Sequence, residues 1–191
     1  ERMKEAEADE LPRFVFETAL TGSLYHYFVD EAQDNMSAGA KLNLQVNPKR
    51  TFSLRLYDEF SRSVRPFTQA VRGTNPYNFG RDRNVVGMEA SLSSRGEVLV
   101  GTLGYSFGFD LFEDDVFIFG NNLQHTVLGR VAWRFLPETA LVYETTLGLV
   151  DYTNTGHPSA TSLLVDDQQF HSRLGLNGAL TQQLSFSVFG G

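Results

Sequence analysis

The chain has 191 residues, a formal net charge of -7 and no cysteine. Its length favours a single domain, the missing cysteines exclude disulfides and thiolate metal sites, and the acidic balance argues against nucleic acid as a partner. No run of 18 or more apolar residues is present, which excludes a transmembrane helix. Aromatic residues make up 13% of the chain, which suits β-strands better than helices.

Alternating apolar and polar residues follow a charged lead-in at residues 1–12. A period of two is typical of strands with one apolar and one polar face. We therefore assign 13–191 to one all-β domain. The pattern predicts about nine antiparallel strands, at 14–28, 37–47, 51–65, 84–94, 97–112, two within 130–152, 169–180, and from 184 onward.

Two kinds of connection join these strands. Short links at 47–50, 94–97, 136–139 and 181–183 alternate with much longer polar segments. Short turns at one rim and long loops at the other are the plan of an outer-membrane barrel. The sequence thus predicts an antiparallel up-and-down transmembrane β-barrel in a bacterial outer membrane. Its expected partners are outer-membrane lipid and lipopolysaccharide.

The polar face of the predicted strands is highly charged. A dry core built from these residues would leave charges unpaired, whereas a hydrated lumen accommodates them. We expect arginines to oppose glutamates across such a lumen and create a transverse field that orders polar solutes. The predicted lumen-lining residues are Lys41, Arg55, Glu59, Glu89, Arg130, Arg134, Glu144 and Arg173.

Aromatic residues gather near the ends of the predicted strands, and aliphatic residues fill the middles. Two aromatic belts around an aliphatic band are typical of a membrane barrel. The predicted girdle contains Phe52, Trp133, Phe135 and Tyr143 near the short turns, with Phe107, Phe109 and Tyr152 toward the long loops.

A soluble β-sandwich or barrel acting as a binding module is the main alternative, because it also has alternating strands. The predicted strands reach about 11 to 16 residues, whereas strands of globular proteins typically have about 5 to 6. A tilted membrane strand needs about 9 to 11. Strand length therefore favours the membrane barrel.

No catalytic motif is present, and we predict neither an enzyme nor a cofactor. The four histidines lack HxH or HExxH spacing, so no metal site is expected. No GxSxG element or P-loop occurs. An outer-membrane hydrolase remains a lesser alternative. It would use acids and a histidine gathered at one rim, namely Asp114, Asp115, Asp166, Asp167 and His171.

Residues 62–83 form a predicted loop that is rich in arginine and has Asp82 as its only acid. Guanidinium groups bind phosphates and carboxylates in bidentate fashion. The loop is therefore a candidate anion-binding segment, either at the outer rim or folded into the pore. Its arginines are Arg62, Arg65, Arg72, Arg81 and Arg83.

Two segments carry a family resemblance. "RFLPETALVYETTLGLVDYTN" and the following "FHSRLGLNGALTQQLSFSVFGG" resemble the outer-membrane β-barrel porins of Gram-negative bacteria, including barrels associated with polysaccharide export. The match covers 134–152 and 173–191, through an F-x-P-x-T turn and a G-L-x-x-x-L-T-x-x-L-S unit. The resemblance implies a pore for passive passage or export of polar solutes. It also implies polysaccharide or export-machinery proteins as partners.

The strand count bears on barrel completeness. Bacterial single-chain barrels have an even number of strands, and barrels of the resembling family are longer than this chain. We expect these residues to be part of a larger barrel, incomplete at the C-terminus. Closure with eight strands is the alternative if one of the nine is not part of the wall.

Overall fold

A computed structural model of the chain describes residues 12–26, 28, 35–48, 50–66, 78–113, 117–154, 165–181 and 184–191. The predicted lead-in therefore lies almost wholly outside the described residues. The fold is all-β. Its strands are β1 (Phe14–Tyr25), β2 (Asn35–Val46), β3 (Phe52–Pro66), β4 (Asn78–Ser93), β5 (Leu99–Phe112), β6 (Asn122–Leu136), β7 (Thr139–Tyr152), β8 (Asp167–Thr181) and β9 (Leu184–Gly190).

All nine strands belong to one antiparallel sheet in the order β1 to β9. Each strand pairs with its sequence neighbour, which confirms the predicted up-and-down meander. The prediction was wrong about β6, which begins at Asn122 rather than near residue 130. The predicted closure into a barrel is not found. Among the described residues β1 pairs only with β2, and β9 only with β8.

The short connections use residues suited to tight reversals. Asn47 has a φ of 51° after β2, and Gly96 has a φ of 75° between β4 and β5. Asparagine and glycine adopt this left-handed conformation more readily than other residues. Only residues 137 and 138 separate β6 from β7. No helix in the described ranges is long and apolar enough to cross a membrane.

The pairing register divides the sheet into two chemically distinct faces. Directly opposed residues of an antiparallel sheet share a face, so one row can be followed from strand to strand. One such row is apolar across eight strands and runs Phe16, Leu44, Leu56, Met88, Tyr105, Val127, Leu147, Phe170. We call the side that carries this row the apolar face and the other side the polar face.

The apolar face is exposed rather than packed. Leu20 is 81% exposed, Leu103 66% and Trp133 51%. Val142 is the only buried hydrophobic residue among those described, and it lies on the polar face opposite Ala132 and Gly175. The buried strand residues lie mostly on the polar face, as Gly104, Asp110 and Asn122 do, so this face is the more enclosed of the two.

Candidate functional site

The register places all eight predicted lumen-lining residues on the polar face. Lys41 lies opposite Glu59, Arg55 opposite Glu89, and Glu144 between its two cross-strand neighbours on β6 and β8. Arg134 lies four residues beyond Arg130 on β6, so it shares this face. Because the chain alternates with a period of two, this placement follows from local sequence once the strands are known.

The first half of the polar face, on β1 to β4, contains a connected group with three acids and two bases, apart from Arg81 and Arg83 nearer the long-loop rim. The Arg55 Nε donates to Asn43 Oδ1 at 2.8 Å, and Asn43 Nδ2 donates to Glu17 Oε2 at 2.9 Å. The Lys41 Nζ lies 3.3 Å from Glu59 Oε2, and Arg55 Nη1 lies 3.5 Å from the Glu89 carboxylate. We call this set the acidic cluster. It consists of Glu17, Lys41, Asn43, Arg55, Glu59 and Glu89.

The second half, on β6 to β8, carries more bases than acids. Glu144 is flanked by Arg130 on β6 and Arg173 on β8. Its Oε1 atom lies 2.5 Å from Arg173 Nη2, and its Oε2 atom lies 4.0 Å from Arg130 Nε. We call these three residues the arginine row. Arg134 adds a fourth charge nearby and lies 3.7 Å from the exposed Glu97.

The arrangement of opposed charge rows across a lumen stays a prediction, because the described sheet is not closed into a barrel. Each glutamate lies beside a cation on the neighbouring strand, because directly paired residues sit only about 5 Å apart. Such half-exposed pairs contribute about 0 to 1 kcal/mol to stability. Their main effect is to set the local charge, which is negative in the acidic cluster and positive in the arginine row.

Small residues on β5 separate the acidic cluster from the arginine row. On β5 the polar face presents Gly104, Ser106 and Gly108, and both glycines are buried by neighbouring strands.

Each charged region borders an open cavity. One of about 510 Å³ is lined by Glu144, His171, Arg173 and Phe189, among others. Another of about 250 Å³ is lined by acidic-cluster residues and Tyr57.

The described part of the long connection between β5 and β6 is held by hydrogen bonds to neighbouring strands. Asn121, 8% exposed, accepts a hydrogen bond from the backbone N–H of Phe112 through its Oδ1 at 2.7 Å. Its carbonyl accepts from the N–H of Thr153 at 3.0 Å. Nearby, Asp110 is 3% exposed and lies 2.8 Å from Arg81 Nε. The described part of this connection is therefore tied by hydrogen bonds to the ends of β5 and β7.

The described residues of the predicted arginine loop, 62–66 and 78–83, lie in strands, which corrects their assignment. Arg62 and Arg65 lie on β3, and Arg81 and Arg83 on β4, while Arg72 lies outside the described residues. The strands extend because residues 61–66 pair with residues 78–83. The Arg62 side chain is paired with carboxylates of Asp82 at 2.9 Å and Glu113 at 2.5 Å. Its guanidinium is therefore already engaged by two acids.

Arg81 and Arg83 occupy the polar face near the long-loop rim. Arg81 pairs with Asp110 and lies 5.6 Å from the ring centre of Phe112. Arg83 is exposed and lies directly opposite Asp110 in the register. Arg62 lies on the apolar face opposite Asp82, so it does not share a face with Arg81 and Arg83. Anion binding by this segment stays a prediction.

Most of the predicted aromatic girdle lies on the apolar face. Trp133 and Phe135 contact each other with ring centres 5.7 Å apart. Tyr152 differs, because it pairs with Asn122 and therefore lies on the polar face. The girdle residues that share the apolar face are Phe52, Trp133, Phe135, Tyr143, Phe107 and Phe109.

Several polar side chains on the apolar face pair with one another. Asn84 Nδ2 donates to Asp58 Oδ1 at 2.6 Å, and the Tyr105 hydroxyl lies 2.8 Å from His125 Nδ1. The Ser172 hydroxyl donates to the Tyr143 oxygen at 3.1 Å. Mutual hydrogen bonding lowers the free-energy cost of placing such groups in an apolar environment.

The described acids of the hydrolase alternative do not form a site with His171. Asp166 accepts a hydrogen bond from the N–H of Tyr152, and Asp167 accepts one from Gln169. Asp167 and His171 are four residues apart on β8, or about 13 Å at the usual strand rise. Asp114 and Asp115 lie outside the described residues. No group of three potential metal ligands occurs in the described ranges.

Sequence reasoning missed Glu17 and Asn121. Glu17 is the only charged residue of β1, and the alternation of that strand could have placed it on the polar face. Asn121 depends on hydrogen bonds with Phe112 and Thr153, for which the sequence carries no comparable signal. Comparison of this chain with protein-family models, with curated proteins and with solved structures finds no match.

Proposed function

We propose that this chain forms the wall of an outer-membrane β-barrel whose polar face lines a hydrated pore for passive passage or export of polar solutes. One observation carries the proposal. A single sheet of long strands exposes its large hydrophobic side chains on one face and gathers paired charges on the other, more enclosed face. Lipid would solvate the first face, and water the second.

Strand dimensions support this proposal. Eight of the strands have 12 to 16 residues, and a tilted membrane-crossing strand needs about 9 to 11. The soluble-sandwich alternative requires a second sheet packed on the apolar face. Within the described residues all strands belong to one sheet, so no such sheet covers it there.

The mechanism is permeation rather than covalent chemistry. Charged and hydroxyl side chains of the polar face would hydrate a passing polar solute and disfavour apolar ones. Lipid and lipopolysaccharide would contact the apolar face and its rim. The resemblance of residues 134–152 and 173–191 to Gram-negative porins points to the same function, with polysaccharide and export-machinery proteins as candidate partners.

Fractionation with heat-modifiability is the first test. The natural gene is expressed in a Gram-negative host, and outer membranes are analysed on SDS gels with and without boiling. We expect the protein in the outer membrane, with an unboiled band that migrates differently from the boiled one. Recovery in the soluble fraction without any band shift would contradict the proposal.

Thiol labelling then tests which face contacts water. The chain has no cysteine, so single cysteines report without background. Adjacent residues of β7 provide a matched pair: Thr146 lies on the polar face and Leu147 on the apolar face. In outer membranes we expect a water-soluble maleimide to label Thr146→Cys and to leave Leu147→Cys protected. Equal labelling of both would contradict a lipid-covered apolar face.

A further inference from the structure

We infer that the arginine row, Arg130, Glu144 and Arg173, is a binding subsite for multivalent anions such as phosphates and polycarboxylates. This inference rests on the proposed function, because it assigns a solute class to the same polar face. It also predicts that the arginine row binds anions, whereas the acidic cluster, which likewise contains arginine and glutamate, does not.

The charge balance of the row is the first support. Two guanidinium groups share one carboxylate, which leaves a net charge of +1 on three directly adjacent side chains. The guanidinium groups remain accessible, since the side chains of Arg130 and Arg173 are 48% and 55% exposed. Exposed guanidinium groups bind phosphate and carboxylate oxygens through charge-assisted hydrogen bonds.

Preorganisation is the second support. The Arg173 guanidinium lies 5.1 Å from the ring centre of Phe189. That ring in turn covers Gly175, where an added Cβ would lie 2.6 Å from the ring Cγ. A guanidinium held on a ring loses less conformational freedom when it binds a ligand. The adjoining cavity of about 510 Å³ leaves room for that ligand.

The acidic cluster contains a close counterpart that differs in charge. Arg55 also pairs with a glutamate, Glu89, and lies 5.1 Å from the ring centre of Tyr57. Its surroundings include the further acids Glu17 and Glu59, with Lys41 as the second base. The cluster therefore has a net charge of -1, and we expect it to repel the anions that the arginine row binds.

The test measures binding of inorganic pyrophosphate to the purified full-length protein in detergent, by calorimetry at low ionic strength. We expect Arg173→Gln to weaken binding about tenfold or more. The matched control Arg55→Gln should change it less than about twofold. Glu144→Gln removes the only acid of the row and should tighten binding by about tenfold, since one charge at contact distance changes affinity on this scale. A misfolded variant would lose affinity for pyrophosphate, so misfolding cannot explain tighter binding by Glu144→Gln.

Three results would overturn the inference. These are no binding by the unmodified protein, equal weakening by Arg173→Gln and Arg55→Gln, or no tightening by Glu144→Gln. Conductance in planar bilayers separates this inference from the proposed function. Binding without any conductance would leave the subsite standing and contradict the pore. Conductance without pyrophosphate binding would retain the pore and contradict the subsite.

Discussion

The contact between Gly175 and Phe189 shows why small residues occur next to charged residues on the polar face. Gly175 lies opposite Phe189 in the register, and the aromatic ring occupies the space that a side chain at residue 175 would need. Glycine in a strand weakens it unless a neighbouring side chain uses the space. Here the ring uses that space and also supports Arg173.

This contact predicts a specific loss of stability. Gly175→Ala should lower the free energy of unfolding by about 1 to 3 kcal/mol, because the added methyl group overpacks against the ring. Gly101 provides the control, since an added Cβ there meets nothing within 4 Å. Urea unfolding followed by the fluorescence of Trp133 measures both. Similar urea midpoints for Gly175→Ala and Gly101→Ala would contradict this prediction, because they would mean that the Phe189 ring can make room for a side chain at residue 175.

At the scale of structural elements, several hydrogen bonds join the described part of the connection between β5 and β6 to the ends of neighbouring strands. Asn121 joins the end of β5 to the end of β7, and Asn154 donates to the carbonyl of Ile118 at 3.1 Å. A buried hydrogen bond that loses its partner costs about 1 to 3 kcal/mol. The stability of this connection should therefore depend on Asn121.

Asn121→Ala should consequently speed exchange of the Phe112 amide hydrogen. The expected factor is about ten to a hundred, because 1.4 kcal/mol of opening free energy corresponds to tenfold. Asn177→Ala on the exposed part of β8 is the control and should leave that amide unchanged. Hydrogen exchange followed by mass spectrometry reports both variants. Unchanged exchange in Asn121→Ala would mean that other contacts hold the connection.

At the scale of the whole molecule, strand direction constrains closure. Eight antiparallel steps separate β1 from β9, so these two strands run in the same direction. Barrels built only from antiparallel pairs have an even number of strands. Antiparallel closure of this sheet would therefore require an odd number of additional strands between β9 and β1.

The two-faced architecture predicts an asymmetric response to added charge. If lipid covers the apolar face, Leu103→Lys should destabilise the folded protein in bilayers by about 2 to 4 kcal/mol, as lysine does near the membrane midplane. Ser106→Lys, on the polar face of the same strand, should cost about 0.5 kcal/mol or less, as at ordinary exposed sites. Unfolding by urea from lipid vesicles measures both. Equal small losses would indicate that water reaches both faces.

Most strands were predictable because alternation is a local property. The assignment failed where that alternation was interrupted. His125 occupies an apolar-face position near the start of β6, opposite Phe107, and its Nδ1 atom lies 2.8 Å from the Tyr105 hydroxyl on β5. Residues 78–83, with two arginines and an aspartate, resemble a polar loop but continue β4, because they pair with β3 and form the Arg62–Asp82 ion pair. Such support from other strands is not visible in local sequence.

The sequence by itself determined the all-β class, the meander order and the face of the eight charged residues that it predicted to line a lumen. A period of two assigns a residue to a face without reference to any distant partner. Only the tertiary structure decided which charges become neighbours. Glu144 is shared by Arg130 and Arg173 because the register aligns three strands at that point. Register depends on hydrogen bonds and side-chain contacts between strands, so the charge difference between the acidic cluster and the arginine row emerges only in the folded sheet.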